Sequence, residues 1–182
     1  MKYYQYLPDS NHFKGYGLDQ KDKYIIDMHY QSQRLSPKWT PVVLHGFDDN
    51  PEVEGDFPSL SSYRKVPIFS RHALDVLFPL ISDSIEVLPV VHPSGDEFFI
   101  INVLELLDCL DEEKSEVRRS QIDGRISRVF SYCFHPALIE GKHIFKTPLE
   151  SGAGLFVDEE FKQLVEENNL KGLEFNELPM AE

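Results

Sequence analysis

The sequence predicts an α+β fold, a mainly antiparallel sheet with two principal helices at about 70–81 and 158–169. Three observations carry this expectation. Strand-like segments outnumber helical ones and arrive in runs instead of alternating with helices. Turns containing Pro, Gly, Ser, Asn or Asp separate them. Two stretches combine a side-chain N-cap with apolar residues at helical spacing.

Taken in order, Tyr3-Tyr4-Gln5-Tyr6 is an aromatic run of high β propensity that Pro8 ends. Residues 7–23 and 46–62 are rich in Pro, Gly, Asp, Asn and Ser and read as loops. Between them, Tyr24–Asp27 predicts a short strand and Trp39–His45 a longer one, with Pro41 tolerated near its start. Ser70 stands before Leu74, Leu77, Phe78 and Ile81, the i, i+3, i+4, i+7 stripe of a capped helix. Pro79 removes an amide donor there and predicts a kink or an end near Phe78. Residues 85–91 and 97–104 form a strand pair around His92-Pro93-Ser94-Gly95-Asp96. The near-continuous apolar run from Phe98 to Leu104 predicts burial on both faces.

Residues 106–115 fit either a short helix or an acidic loop. Asp123-Gly124 then predicts a hairpin joining Val117–Ile122 to Arg125–Phe134. Two short strands follow at His143–Lys146 and Leu155–Val157, with Gly152 and Gly154 as loop hinges between them. Asp158 caps the second helix, which carries Glu159 and Glu160 in its first turn and buries Phe161, Leu164 and Val165. Gly172 predicts its stop, and Leu173–Leu178 a last, partly exposed strand.

The chain has 182 residues, 41% of them hydrophobic, with a formal charge of −13. A chain of this length buries roughly 70% of its unfolded surface, enough for one domain over residues 1–182 without disulfides. The acidic balance argues against nucleic-acid or anionic-membrane binding, where Lys and Arg supply the affinity. No stretch approaches the ~18 consecutive apolar residues of a membrane span. The N-terminus lacks the apolar core of an export signal, so a cytoplasmic location is expected. Cys109 and Cys133 are then expected to be reduced, buried thiols.

No catalytic set is legible in the sequence. Gly15-Tyr16-Gly17 and Gly152-Ala153-Gly154 lack the rest of a dinucleotide fingerprint, and no serine sits in a nucleophile elbow. Cys133 and His135 would share a face of a strand, yet the surrounding Phe130–Phe134 segment reads as core. His72 and Asp75 stand at i, i+3 and read as a surface contact. The acids of 48–56 do not follow the calcium-loop pattern, because Pro51 interrupts them and the distal glutamate is missing. No cofactor, metal or catalytic residue is expected, and the chain is not expected to be an enzyme. Arg118, Arg119, Arg125 and Arg128 lie between two acid-rich regions, where they would cluster on neighbouring strands and pair with acids or engage a partner.

Gly55–Leu60, Pro67–Ser70 with the helix leading to Leu77, Glu86–Val90, Asn102-Val103 with Leu110-Asp111 and Ser115, Ile144–Lys146, and Leu155–Asp158 through Phe161 to Gly172–Phe175 follow one another in a set order and spacing. In that order and spacing the chain resembles a bacterial immunity-protein family found beside polymorphic toxins, of the myxobacterial type. Together these stretches span roughly residues 3–178. The resemblance implies a protein that binds and blocks a cognate toxin encoded nearby. It carries over no catalytic residue and does not fix the toxin's chemistry.

Within that expectation, the 46–60 loop is the candidate contact. Asp48, Asp49, Glu52, Glu54 and Asp56 supply charge that steers encounter, and Phe57, with Phe47 and Leu60, supplies apolar anchors. The acidic face of the 158–169 helix is a second candidate, and homo-oligomerisation is compatible with the sequence. The competing functions are a small-molecule binding or regulatory module with aromatic walls drawn from Tyr3, Tyr4, Tyr6 and Trp39, and a hydrolase using dispersed carboxylates.

Overall fold

Four small sheets organise the residues described by the computed structural model, which are 2–60, 66–148 and 154–179. The first half runs β1 (Tyr3–Pro8), β2 (Gly15–Leu18), α1 (Tyr24–Tyr30), β3 (Leu44–Gly46), β4 (Ser59–Leu60), β5 (Ile68–Ser70) and α2 (Arg71–Ile81). The second runs β6 (Ile85–Val91), β7 (Glu97–Val103), β8 (Glu116–Arg119), β9 (Ile126–Ser131), α3 (Pro136–Ile139), β10 (Ile144–Lys146), β11 (Leu155–Asp158), α4 (Glu159–Glu167) and β12 (Leu173–Glu177). The α+β class stands, and among the described strands every ladder is antiparallel except β2 with β4.

The sheet orders are β10-β11-β1-β12, β3-β2-β4, β5-β7-β6 and β8-β9. Strand alternation divides the apolar side chains among three clusters. On β7, Phe99, Ile101 and Val103 face the first cluster, while Phe98 and Ile100 face the second. That is why the run is apolar at nearly every position, the exception being the buried Asn102. On β1, Tyr4 and Tyr6 join the first cluster and Tyr3 the third, and β11 divides Leu155 and Val157 from Phe156 in the same way. The helices α2 and α4 cover the first cluster with Ala73, Leu74, Leu77, Ile81, Phe161 and Val165. Each of the larger side chains contributes about 1.5–3 kcal/mol on burial.

Both predicted caps form: Ser70 Oγ accepts from Ala73 N at 3.1 Å, and Asp158 Oδ1 from Phe161 N at 3.0 Å. Pro79 does not end its helix. It lies on the solvent face, and α2 continues to Ile81 because that residue is buried below. Phe78, placed in the buried stripe by its spacing, is 45% exposed, and Ala73 fills the stripe instead.

Several other expectations change. Tyr24–Asp27 is helical: Ile25, Ile26 and His29 come onto one buried face only at a helical period, and this packing overrides β propensity. The 39–45 strand shrinks to Leu44–Gly46 because Pro41 offers no amide, although Val43 still bridges Val91. The 106–115 segment is a loop with isolated bridges at Leu106 and Leu110. The hairpin strands stop at Arg119 and resume at Ile126, so Asp123-Gly124 sits in a wider loop closed by a bond from Ser120 N to Arg125 O. The second helix ends at Glu167, where Asn169 takes the left-handed conformation (φ 53°). Gly172 (φ 96°) instead turns the chain into β12. Gly152 lies outside the described residues.

Candidate functional site

The loop between β3 and β4 is pinned along its length by its neighbours. Asn50 brackets the backbone of Gly15, accepting from its N at 3.1 Å and donating to its O at 2.8 Å. Lys14 N donates to Val53 O at 2.9 Å. Tyr16 Oη donates to Glu54 Oε2 at 2.6 Å. At Gly55 the chain passes so close to Phe13 and the Lys171 carbonyl that an added Cβ would lie 2.9 Å from the ring, which is why no side chain fits. Asp56 then ties three segments together: its carboxylate accepts from Ser70 Oγ at 2.6 Å and Lys171 N at 2.8 Å, and its backbone N donates to Lys171 O.

These ties sort the predicted contact residues into two groups. Asp48, Asp49 and Glu52 are exposed and form no ion pair among the described residues, with Phe47 (42% exposed) and Val53 (56%) beside them. Glu54 and Asp56 are partly buried and committed to the framework. Phe57 is fully enclosed, packed edge-on against Phe69 at 5.1 Å, and so serves the core in the isolated chain. Leu60 is buried as well.

Beneath the loop lies a polar cluster that the sequence did not single out. His92, buried and stacked on Phe98 at 4.1 Å, places Nδ1 2.7 Å from Ser94 Oγ and Nε2 3.7 Å from Glu54 Oε2. Burial holds this imidazole below its ordinary value, against the opposing pull of Glu54 and Asp96. Glu54 and Asp56 also line an adjacent cavity of about 510 Å³, with Ser70, Arg71, His72 and Glu97 among its other walls. Arg71 reaches both Glu97, at 3.0 Å, and Asp75, while His72 Nδ1 lies 3.9 Å from Asp56; the His72–Asp75 contact expected from spacing is replaced by these.

Burial pushes the Cys109 thiol up to about 12, which makes it inert as a nucleophile. β9 ends at Ser131, so no strand aligns Cys133 with His135; Cys133 is buried and His135 is exposed. Tyr3, Tyr4 and Tyr6 are core residues, and Trp39 stands apart from them over the second cluster. Arg118 and Arg128 face each other across the hairpin, both over the Phe130 ring, whereas Arg119 pairs with Glu112. Among the described residues, one group could supply three metal ligands: His143, Asp158 and Glu160. There His143 Nδ1 lies 2.8 Å from Asp158 Oδ2, and the other Asp158 oxygen caps α4, so capping and pairing account for its geometry.

A family model, the immunity protein family Imm11, matches residues 87–179, just over half of the chain. The chain belongs to this family. As an Imm11 protein it falls among immunity proteins, which implies a cognate toxin as partner. No curated protein matches its sequence. The Imm11 match runs from within β6 to the end of β12, so it contains His92 and the hairpin arginines but begins after the acidic loop. Among the described residues no helix is long and apolar enough to cross a membrane.

Buried charges are what the sequence reading missed. Glu86 and Lys146 each occupy an inward position of an apolar strand, and a charge at such a position was the available signal.

Proposed function

We propose that this Imm11 protein neutralises a cognate toxin domain by direct contact, without catalysis, inside the cell that makes both proteins. The toxin would be encoded nearby. The observation that supports this reading is the 46–56 loop. Three carboxylates with no ion pair among the described residues and two exposed apolar side chains stand on a backbone held by Asn50, Glu54 and Asp56. Charge of this kind speeds encounter with a basic partner, and a loop fixed in advance loses less entropy on docking. The first contact therefore falls on Asp48, Asp49 and Glu52. Glu54, Asp56 and Phe57 act from beneath, by holding the loop in shape.

The test is co-expression with the neighbouring toxin-like gene product, scoring survival and co-purification together. Rescue with a stable complex is expected. The combined Asp48→Asn, Asp49→Asn, Glu52→Gln variant should keep its thermal midpoint but associate at least about tenfold more slowly at low salt. Survival without a complex would overturn the direct-contact mechanism, and unchanged association kinetics would remove the loop from it.

A further inference from the structure

Between α1 and the 3-10 turn at Ser36–Lys38 lies a cavity of about 400 Å³, within the size range of small-molecule sites. Tyr24, Met28, Leu35 and Trp39 line its apolar part, and Arg34 and Lys38 its polar part. The walls are set in place before any ligand arrives. Trp39 Nε1 donates to Pro89 O at 2.8 Å, which fixes the indole against β6. The buried Glu86 carboxylate accepts from Leu35 N at 2.8 Å and Ser36 Oγ at 2.7 Å, and Asn102 Nδ2 donates to it at 2.8 Å, which holds the turn.

The charge of the lining decides between ligand classes. Aromatic walls with a thioether suit either a flat apolar group or an organic cation, the latter through the ring faces. Here both charged lining residues are cationic, in a chain whose net charge is −13. A cation would meet Arg34 and Lys38 directly. A carboxylate would gain them, since guanidinium and ammonium donors bind it through charge-assisted hydrogen bonds. Arg34 has donors to spare: among the described residues its one ionic contact is Glu86 Oε1 at 3.6 Å, beyond hydrogen-bond length. We infer that this cavity is a binding site for a small aromatic carboxylate, with the ring against Trp39 and Tyr24 and the carboxylate on Arg34 and Lys38. The inference does not depend on toxin binding.

Trp39 is the only tryptophan in the sequence, so its emission reports occupancy of the site directly. The full chain is titrated with hydrocinnamate, with the neutral hydrocinnamide and with the phenethylammonium ion, exciting tryptophan selectively. Hydrocinnamate should produce a saturable change and bind at least about tenfold more tightly than the amide, with the ammonium ion weakest. In the Arg34→Gln, Lys38→Gln variant the carboxylate and the amide should bind equally. Both residues are exposed, so the variant should fold normally, and Lys38→Gln alone should lose part of the preference. The absence of a saturable change in the parent protein, equal affinities for the three probes, or an undiminished carboxylate preference in the double variant would overturn the assignment.

Discussion

Replacing Lys146 by methionine should stabilise the protein at neutral pH. The side chain is fully buried on β10, and its Nζ donates to the carbonyl of His29, an oxygen that carries no formal charge. Burial moves the amine from 10.5 down to about 7. Between those values the unfolded chain holds a proton that the folded chain has released, so stability rises with pH across the window. At about 1.4 kcal/mol per pH unit, the burial penalty at neutral pH has a ceiling of about 5 kcal/mol. Relaxation and water penetration reduce it, and methionine forfeits the bond to His29, worth about 1 kcal/mol. A net gain of about 2 kcal/mol at pH 7 follows.

The assay is urea unfolding of both proteins at pH 7, 8 and 9. The upper bound is set by Cys109, whose thiol ordinarily titrates at 9.0 and is pushed up to about 12, which makes stability fall again beyond that point. The gap between variant and parent should narrow steadily as pH rises, because the parent recovers the stability that the variant already has. A variant less stable than the parent at pH 7, or two parallel pH profiles, would refute the reasoning.

Ser70→Ala removes the cap on Ala73 and the bond to Asp56, and should lower the urea midpoint by the equivalent of about 1–2 kcal/mol without changing the slope. Burial acts to raise the Glu86 carboxyl, but the bonds from Ser36, Leu35 and Asn102 outweigh it and hold the group below its ordinary value of 4.5. Its stabilisation is therefore present above pH 4.5 and lost as pH falls further, and Glu86→Gln should flatten that acid limb in unfolding measurements. Phe57→Ala should cost about 3–5 kcal/mol in urea unfolding, whereas the exposed Phe47→Ala should stay within about 0.5 kcal/mol. The three apolar clusters share strands β1, β7 and β11, so calorimetry should show one transition; two would contradict a single domain over 1–182.

Local patterns in this sequence were legible where local forces decide the outcome. Ser70 and Asp158 could be read as caps because capping needs only a hydroxyl or carboxylate two or three residues from an unsatisfied amide. The both-face burial of β7 showed because alternation has no polar side to reveal. Long-range packing was not legible. Tyr24–Asp27 looks strand-like alone, and only the burial of Ile25, Ile26 and His29 on one face selects the helix. The candidate site divides in the same way. Charge and aromatic content pointed to residues 48–57, but whether an acid is free or tied depends on Gly15, Tyr16, Ser70 and Lys171, each distant in sequence. The Trp39 cavity depends on Glu86 and Pro89, about fifty residues away, and no local pattern announces it.

The family match and the proposed contact occupy different parts of the chain, and this bears on what each can explain. The match begins at residue 87, while the exposed acids at 48–52 precede it, so membership of Imm11 supplies the role of the protein without selecting that loop. The two parts are nevertheless joined mechanically: Val91 N donates to Val42 O at 2.8 Å, and His92, inside the match, sits below Glu54. The loop is thus held partly by residues within the matched region. If toxin recognition runs through it, His92→Ala should loosen Glu54 and weaken the complex even though His92 is too buried to touch a partner. In kinetic terms, loss of this support should shorten the lifetime of the complex, whereas neutralising Asp48, Asp49 and Glu52 should slow its formation. Separate effects on dissociation and association would distinguish a prepared docking loop from acids that merely keep the protein soluble. If His92→Ala left the lifetime of the complex unchanged, the support beneath the loop would have no part in recognition.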